Sequence, residues 1–187
     1  MPKSAPWCRM PTADRRQALL LLGVATASTA AGIVFGPRLA GMLSSNDADA
    51  LRSALLTDLS GKQRSMAEWE GRIVVCNFWA TWCPPCLEEI PALVRARDKL
   101  LPSGIEFVGI AIDQVDKVSN FALTVRISYP VLLAGGNGLD LVRKLGNPAG
   151  GLPFTVVLDR KGVIAHRKLG AVTQQEIEAT LATMLPT

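Results

Sequence analysis

Trp82-Cys83-Pro84-Pro85-Cys86 stands where an apolar stretch gives way to a helical one, and that junction constrains the fold more than any other feature. The preceding run, Arg72-Ile73-Val74-Val75-Cys76-Asn77-Phe78-Trp79, is apolar and β-branched and reads as a buried strand. The following run, Leu87 to Arg97, reads as a helix. Cys83 therefore falls at a helix N-terminus, where unpaired backbone N–H groups and the helix dipole favour a negative thiolate. A free cysteine titrates near ~8.5, and CxxC cysteines at helix starts fall to roughly 3.5–7.5. Pro84 suits the first helical turn, where a missing N–H is tolerated, and Pro85 stiffens the same turn. The pattern is that of a dithiol built for exchange.

Two plainer readings of CxxC compete with this one. Tetrahedral zinc takes four Cys or His ligands. The remaining candidates are Cys8, Cys76 and His166, which form no second paired-ligand motif. A purely structural disulfide would need neither the strand–helix junction nor the tryptophan ahead of it. No cofactor or metal is called for by the motif itself.

The run Asn77-Phe78-Trp79-Ala80-Thr81-Trp82-Cys83-Pro84-Pro85-Cys86 resembles the active-site signature of the thioredoxin superfamily. Continued through Leu87-Glu88-Glu89-Ile90-Pro91, it is more similar to the membrane-anchored TlpA/ResA-type thiol–disulfide proteins than to cytosolic thioredoxin. The later run Gly151-Leu152-Pro153-Phe154 to Gly162 resembles that family's cis-proline strand and hairpin. The resemblance covers roughly residues 55–187. It implies an α/β, thioredoxin-like fold, with a central mixed sheet flanked by helices and a TlpA-type insertion between its βαβ and ββα halves.

Outside that region the chain reads as an appendage. The net charge of +4 resides entirely in residues 1–38, where Lys3, Arg9, Arg15, Arg16 and Arg38 face Asp14 alone. The basic balance thus reports a targeting feature and gives no reason to expect a nucleic-acid partner. Residues 1–17 form a basic segment, and 18–36 a charge-free apolar stretch that reads as a transmembrane signal anchor or a cleaved signal peptide. Basic residues before it place the N-terminus inside and the domain outside the cytoplasm. Residues 37–54 read as a polar linker and 55–187 as the folded domain.

Within the domain, Ile105 to Ile112 reads as a second buried strand closed by Asp113, 116–126 as a helix, and Tyr129 to Leu133 as a short strand. Gly138 to Gly146 reads as a short helix ending at glycine. Phe154–Leu158 and Val163–Lys168 form a hairpin around Asp159-Arg160-Lys161-Gly162, and a helix capped by Thr173 and Glu176 closes the chain. The strand at Tyr129 and the helix at Gly138 match the insertion of TlpA-like proteins.

Residues near the dithiol divide by role. Trp79 alternates into the core, and Trp82 and Pro84 flank Cys83 as a candidate substrate surface. The resemblance places a cis peptide between Leu152 and Pro153, with the strand edge at Leu152 facing Cys83 and open to a partner's extended backbone. Cytosolic thioredoxin has a buried aspartate six residues before its first cysteine, where this chain has Asn77, which takes no proton. The proton of Cys86 still needs an acceptor. Glu89, one helical turn beyond Cys86, falls where the TlpA/ResA pattern has its glutamate. Asp113 is a secondary candidate, and Glu88 is a helix-terminal charge. His166 reads as a surface residue, Cys76 as buried filler, and Cys8 as a reduced thiol.

These readings converge on an extracytoplasmic thiol–disulfide oxidoreductase anchored in the inner (cytoplasmic) membrane, acting as a reductant of protein disulfides. Cys83 attacks, Cys86 resolves and Glu89 handles the proton. The resemblance implies a membrane electron-donor protein as partner, and apocytochrome c thiols or a copper-site assembly protein as clients. Two other classes compete. A Cu(I)-binding chaperone would use the same soft thiolates, but no methionine- or histidine-rich site adjoins the motif. A thiol peroxidase would use one activated cysteine and need no adjacent CxxC.

Overall fold

The chain divides into two units, Met1–Met42 and Leu43–Thr187. The computed structural model describes residues 47–185, all within the second unit. The basic segment, the apolar stretch 18–36, most of the linker and Cys8 lie outside the described residues. Among the described residues no helix is long and apolar enough to cross a membrane.

The sequence of elements begins with helix α1, described over residues 47–52. Strands β1 (Leu56–Asp58) and β2 (Gln63–Arg64) follow, then β3 (Ile73–Trp79) and helix α2 (Pro84–Leu100). Next come β4 (Ile105–Ala111), α3 (Val115–Thr124), β5 (Val131–Leu133) and α4 (Gly138–Lys144). The hairpin β6 (Phe154–Leu158) and β7 (Ile164–Leu169) and helix α5 (Gln174–Ala182) complete the fold. The strands form one seven-stranded sheet in the order β2-β1-β5-β4-β3-β6-β7. β3 pairs in parallel with β4, and β4 with β5, whereas β6 runs antiparallel to β3 and β7 to β6. The mixed sheet is the one expected, and β5 with α4 supplies the insertion between the two halves.

All seven residues of β3 and of β4 are buried, as continuous apolar runs in parallel strands require. The period-2 alternation of β3 divides its side chains between two cores. Val74, Cys76 and Phe78 pack with Leu51 of α1 and with Leu141 and Val142 of α4. Ile73 and Val75 pack with Leu93 of α2 and Ile177 and Leu181 of α5, and Trp79 packs with Cys86, Ile90 and Val118 of α3. The sheet therefore separates α1 and α4 from α2, α3 and α5. Cys76 is fully buried on the first face, and burial pushes its thiol up to about 12, so it is filler as read from sequence. Gly109 of β4 sits at a close approach: a Cβ there would lie 3.1 Å from both the Trp79 indole nitrogen and the Tyr129 ring, which would have to give by a few tenths of an ångström.

Two local features hold the ends of this body. At the start of α5, Thr173 accepts from the Glu176 N–H while Glu176 accepts from the Thr173 N–H at 2.8 Å, the capping box anticipated from sequence. At the other end, the segment expected to be linker is already folded at residues 47–52. Ala48 and Leu51 of α1 are buried, and Asp47 pairs with Arg167 of β7 at 2.7 Å. The polar composition of 44–49 masks a helix that contributes only one side of itself to the core. Strands β1 and β2 were not anticipated either. They are held by the Asp58 carboxylate, which accepts from the Ser60 and Lys62 N–H groups to close the turn between them.

Replacing Leu51 with alanine should destabilise the domain by about 2–5 kcal/mol, as for other fully buried leucines. Urea unfolding of the two proteins measures this. A loss below about 0.5 kcal/mol, typical of surface positions, would mean that α1 is not part of the cooperative unit.

Candidate active site

β3 ends at Trp79, and Ala80-Thr81-Trp82 leads into α2 with Cys83 as its N-cap residue. Cys83 and Cys86 are joined as a disulfide. Cys83 retains 5% of its surface and Cys86 none, so the first cysteine is the one that reaches solvent, although less openly than its place at a helix start suggested. Beside it, Trp82 is 59% exposed and Pro84 is also exposed, leaving an apolar surface next to Cys83. The Leu152–Pro153 peptide is cis. Pro153 is buried, and the half-buried Leu152 packs against the cluster that contains both cysteines. Trp79, by contrast, is fully buried.

The backbone at the start of α2 differs from the expectation in one consequential way. The Cys83 N–H donates to Ala80 O at 3.2 Å, Pro84 and Pro85 have no N–H, and the Cys86 N–H turns back to Cys83 O at 3.0 Å. No backbone donor of the first turn is left over for a thiolate. The helix dipole remains, but the free N–H groups that ordinarily accompany it are absent because two prolines occupy the first two helical positions.

The acid–base residues separate cleanly. Glu88 is exposed, whereas Glu89, one turn beyond Cys86, is 4% exposed. Its Oε1 accepts from Asn77 Nδ2 at 2.8 Å and its Oε2 from the Val172 N–H at 2.8 Å. Burial pushes the Glu89 carboxyl above the ordinary carboxylate value, against the pull of those two donors. Glu89 also lines a cleft of about 370 Å³ between α2 and the segment before α5, with Glu88, Ala92, Arg95, Val172 and Gln174 around it. Asp113, the other candidate, sits at the end of β4 and accepts from the N–H and hydroxyl of Thr81 and from the Gln114 N–H. Its partial burial opposes ionisation, but these donors and Lys117 outweigh it and hold its carboxyl below the usual range. Asp113 thus fixes the loop leading to Cys83 and is a poor proton acceptor. His166 is exposed on β7.

Thr155 is a polar contact that the sequence reading missed. It is fully buried in β6, opposite Asn77 in the strand register, and accepts from Asn77 Nδ2 at 3.1 Å. A lone threonine in the apolar run Phe154-Thr155-Val156-Val157-Leu158 was the available signal. The Val172 N–H had no signal in the side chains at all.

Comparison with known proteins agrees with this geometry. The redoxin family model matches residues 44–185. The chain belongs to the redoxin family. A thioredoxin-like protein, YneN of Bacillus subtilis, is 34% identical over 130 residues, covering 67% of this chain and 73% of its own length. The thiol-disulfide oxidoreductase ResA of Bacillus anthracis is 29% identical over 133 residues, covering 71% of this chain and 75% of that protein. Among solved structures, a thiol:disulfide interchange protein of the thioredoxin family from Chlorobium tepidum is 31% identical. It superposes with a TM-score of 0.61, covering 71% of this chain and 95% of its own. Within the thioredoxin superfamily this redoxin is therefore TlpA/ResA-like, and it is a thiol–disulfide oxidoreductase with Cys83 and Cys86 as its cysteine pair.

The raised carboxyl of Glu89 has a thermodynamic signature. A carboxyl whose folded value lies above its unfolded value contributes stability at low pH and loses it as pH rises through the folded value. Relative to Glu89→Gln, the wild-type protein should lose stability as pH rises from about 4.3, the unperturbed glutamate value, towards neutrality. Urea unfolding of both proteins across that window reads the difference. Parallel stability curves would show that Glu89 titrates as an ordinary surface carboxyl.

Proposed function

We propose that this oxidoreductase is a membrane-anchored, extracytoplasmic reductant of protein disulfides, with Cys83 as the attacking thiol, Cys86 as the resolving thiol and Glu89 as the acceptor of the Cys86 proton. The observation that carries the reductant reading is the accounting of N–H groups at the start of α2. Strongly oxidising members of this chemistry owe their potential to a stabilised reduced form, and backbone donors to the thiolate are a main source of such stabilisation. Here Ala80 O and Cys83 O take the two N–H groups that exist and proline removes two more. The anchor reading rests on the apolar stretch 18–36 behind Arg15 and Arg16.

The chemistry balances as two exchanges. The Cys83 thiolate attacks one sulfur of the client disulfide; that S–S bond breaks, and the departing client thiolate takes a proton from water. Cys86 then gives its proton to Glu89 and attacks Cys83 Sγ, forming the Cys83–Cys86 disulfide as the mixed disulfide breaks and the second client sulfur leaves as a thiolate that takes a proton from water. The client gains two electrons and the protein loses two. Trp82 and Pro84 on one side and Leu152-Pro153 on the other frame the sulfur against an extended client chain, which the strand edge at Leu152 can meet with its backbone. A membrane dithiol protein would return the electrons by the reverse exchange. The clients suggested by the TlpA/ResA resemblance are apocytochrome c thiols or a copper-site assembly protein.

Three measurements test these assignments. The Cys86→Ser protein should accumulate mixed disulfides with client proteins and Cys83→Ser should not; equal trapping by both would reverse or erase the division of labour. Equilibration with dithiothreitol or glutathione, followed by tryptophan fluorescence, should give a potential nearer to about −270 mV than to about −120 mV, and a value at the latter end removes the reductant reading. A positioned general base contributes about 10²–10⁴-fold. The resolving step of Glu89→Gln should slow by that order and lose its rise with pH, while Glu88→Gln keeps the wild-type profile; two wild-type profiles would leave Glu89 as a structural carboxyl.

A further inference from the structure

Asn77 is 2% exposed in the middle of β3. Its Nδ2 donates twice, to Glu89 Oε1 at 2.8 Å and to Thr155 Oγ1 at 3.1 Å. Both N–H bonds are used, and Oδ1 is left buried without a hydrogen-bond partner among the described residues. Buried acceptors are seldom left idle, and this one belongs to an amide in contact with a carboxyl. We propose that the Asn77 side-chain amide turns over with the charge of Glu89, donating Nδ2–H to the carboxylate and offering Oδ1 to the carboxylic acid. The proposal rests on the reading of Glu89 as the acceptor of the Cys86 proton, and it adds Asn77 and Thr155 as positioning residues for that step.

The argument follows from what each group can donate. Ionised Glu89 only accepts, and the present arrangement gives it two N–H donors, Asn77 at Oε1 and Val172 at Oε2. When Cys86 loses its S–H proton to Glu89, an O–H bond forms on a carboxyl that faces N–H groups on both oxygens. On the lone pairs already in use, a proton on Oε2 would point at the fixed Val172 N–H and one on Oε1 at Asn77 Nδ2. The second lone pair of each oxygen has no hydrogen-bond partner among the described residues, so an O–H there would go unpaired. The backbone N–H is immovable, whereas the amide is not. Rotation about its last torsion, which is broad and roughly two-fold, exchanges Nδ2 and Oδ1. Oδ1 then accepts the Glu89 O–H, and the Thr155 hydroxyl, which accepted from Nδ2, turns to donate to Oδ1. Each orientation leaves two hydrogen-bonding positions idle. They are Oδ1 and the hydroxyl hydrogen while Glu89 is ionised, and two N–H bonds once it is protonated. The internal imbalance is therefore small, and the charge of Glu89 selects the orientation. Release of the proton to water at the cleft restores the first state.

Other groups face this cluster and could act on it. On α2 they are Cys86, Glu88 and Arg95; the latter two share the cleft with Glu89, and Arg95 is held by Gln174 at 3.0 Å. Ahead of β5, the buried Tyr129 phenol is held protonated by burial and by the Glu89 charge. Beyond Thr155, a second cleft is lined by His166, Lys168 and Glu176. None of these contacts the Asn77 amide through a hydrogen bond among the described residues, so the coupling should survive their removal.

The test is a magnetic-resonance titration of the full oxidised chain carrying ¹⁵N-asparagine and ¹³C-glutamate. The Asn77 side-chain signal is assigned by its loss in Asn77→Ser. The wild-type Asn77 amide pair should shift with the same midpoint as the Glu89 carboxyl carbon, and its through-space contact to Thr155 should be lost on the acid side. His166→Gln should leave that coupled titration in place, and Glu89→Gln should make the amide signal independent of pH. An N–H contact from Asn77 to Thr155 that persists while the Glu89 carboxyl protonates would overturn the proposal, as would an amide shift that follows His166 instead. If Glu89→Gln resolves mixed disulfides at the wild-type rate, the proton-acceptor reading of Glu89 falls. That failure is distinguishable, because the amide is read in the wild-type protein with no exchange reaction running.

Discussion

Strand β3 must satisfy its backbone on both edges and its side chains on both faces, and the rest of the fold answers that demand. β4 takes one edge in parallel and β6 the other in antiparallel register. A strand bonded on both edges and buried along its whole length has almost no freedom to shift, because a slip of one residue would exchange its two faces. The dithiol inherits that rigidity, since only Ala80, Thr81 and Trp82 separate the end of β3 from Cys83. Asp113, at the end of the neighbouring strand, pins Thr81 from the side. The sulfur is thus placed by two adjacent central strands and by very little loop.

Most of this was legible because it was written in long apolar runs and in residues with strong local meaning. Ile73 to Trp79 and Ile105 to Ala111 are too β-branched and too continuous to be anything but buried strands, and Thr173 with Glu176 marks a helix start unambiguously. Glu89 was legible through its spacing from Cys86. What escaped has a common physical cause. β1 and β2 are three and two residues long, too short to show a period, and their pairing depends on the carboxylate of Asp58. Helix α1 presents Ala48 and Leu51 from a polar segment, and two buried residues do not make a pattern. The Val172 N–H and the Asn77–Thr155 contact join residues 83 and 78 positions apart, respectively, and exist only once the sheet is assembled.

The double proline shows how a correct motif can carry an incorrect expectation. A helix N-terminus is favourable to anions partly through its dipole and partly through N–H groups pointing outwards. Pro84 and Pro85 leave the first contribution and delete the second, while Cys86 spends its own N–H on Cys83 O. The motif still builds a reactive junction, yet the thiolate it would carry is held less tightly than one in front of open donors. The two intervening residues therefore act through the backbone, by the N–H groups they lack.

The cleft at Glu89 gives this site two doors on different walls. Cys83 adjoins the exposed Trp82 and Pro84, whereas Glu89 lines a cleft with Arg95 and Gln174, between α2 and the segment before α5. A client seated at the front, as proposed, leaves the cleft at Glu89 uncovered. On the roles proposed for Trp82, Pro84 and Glu89, fit and turnover are free to vary independently: the front surface can be remodelled for a new visitor without disturbing the route by which protons drain away.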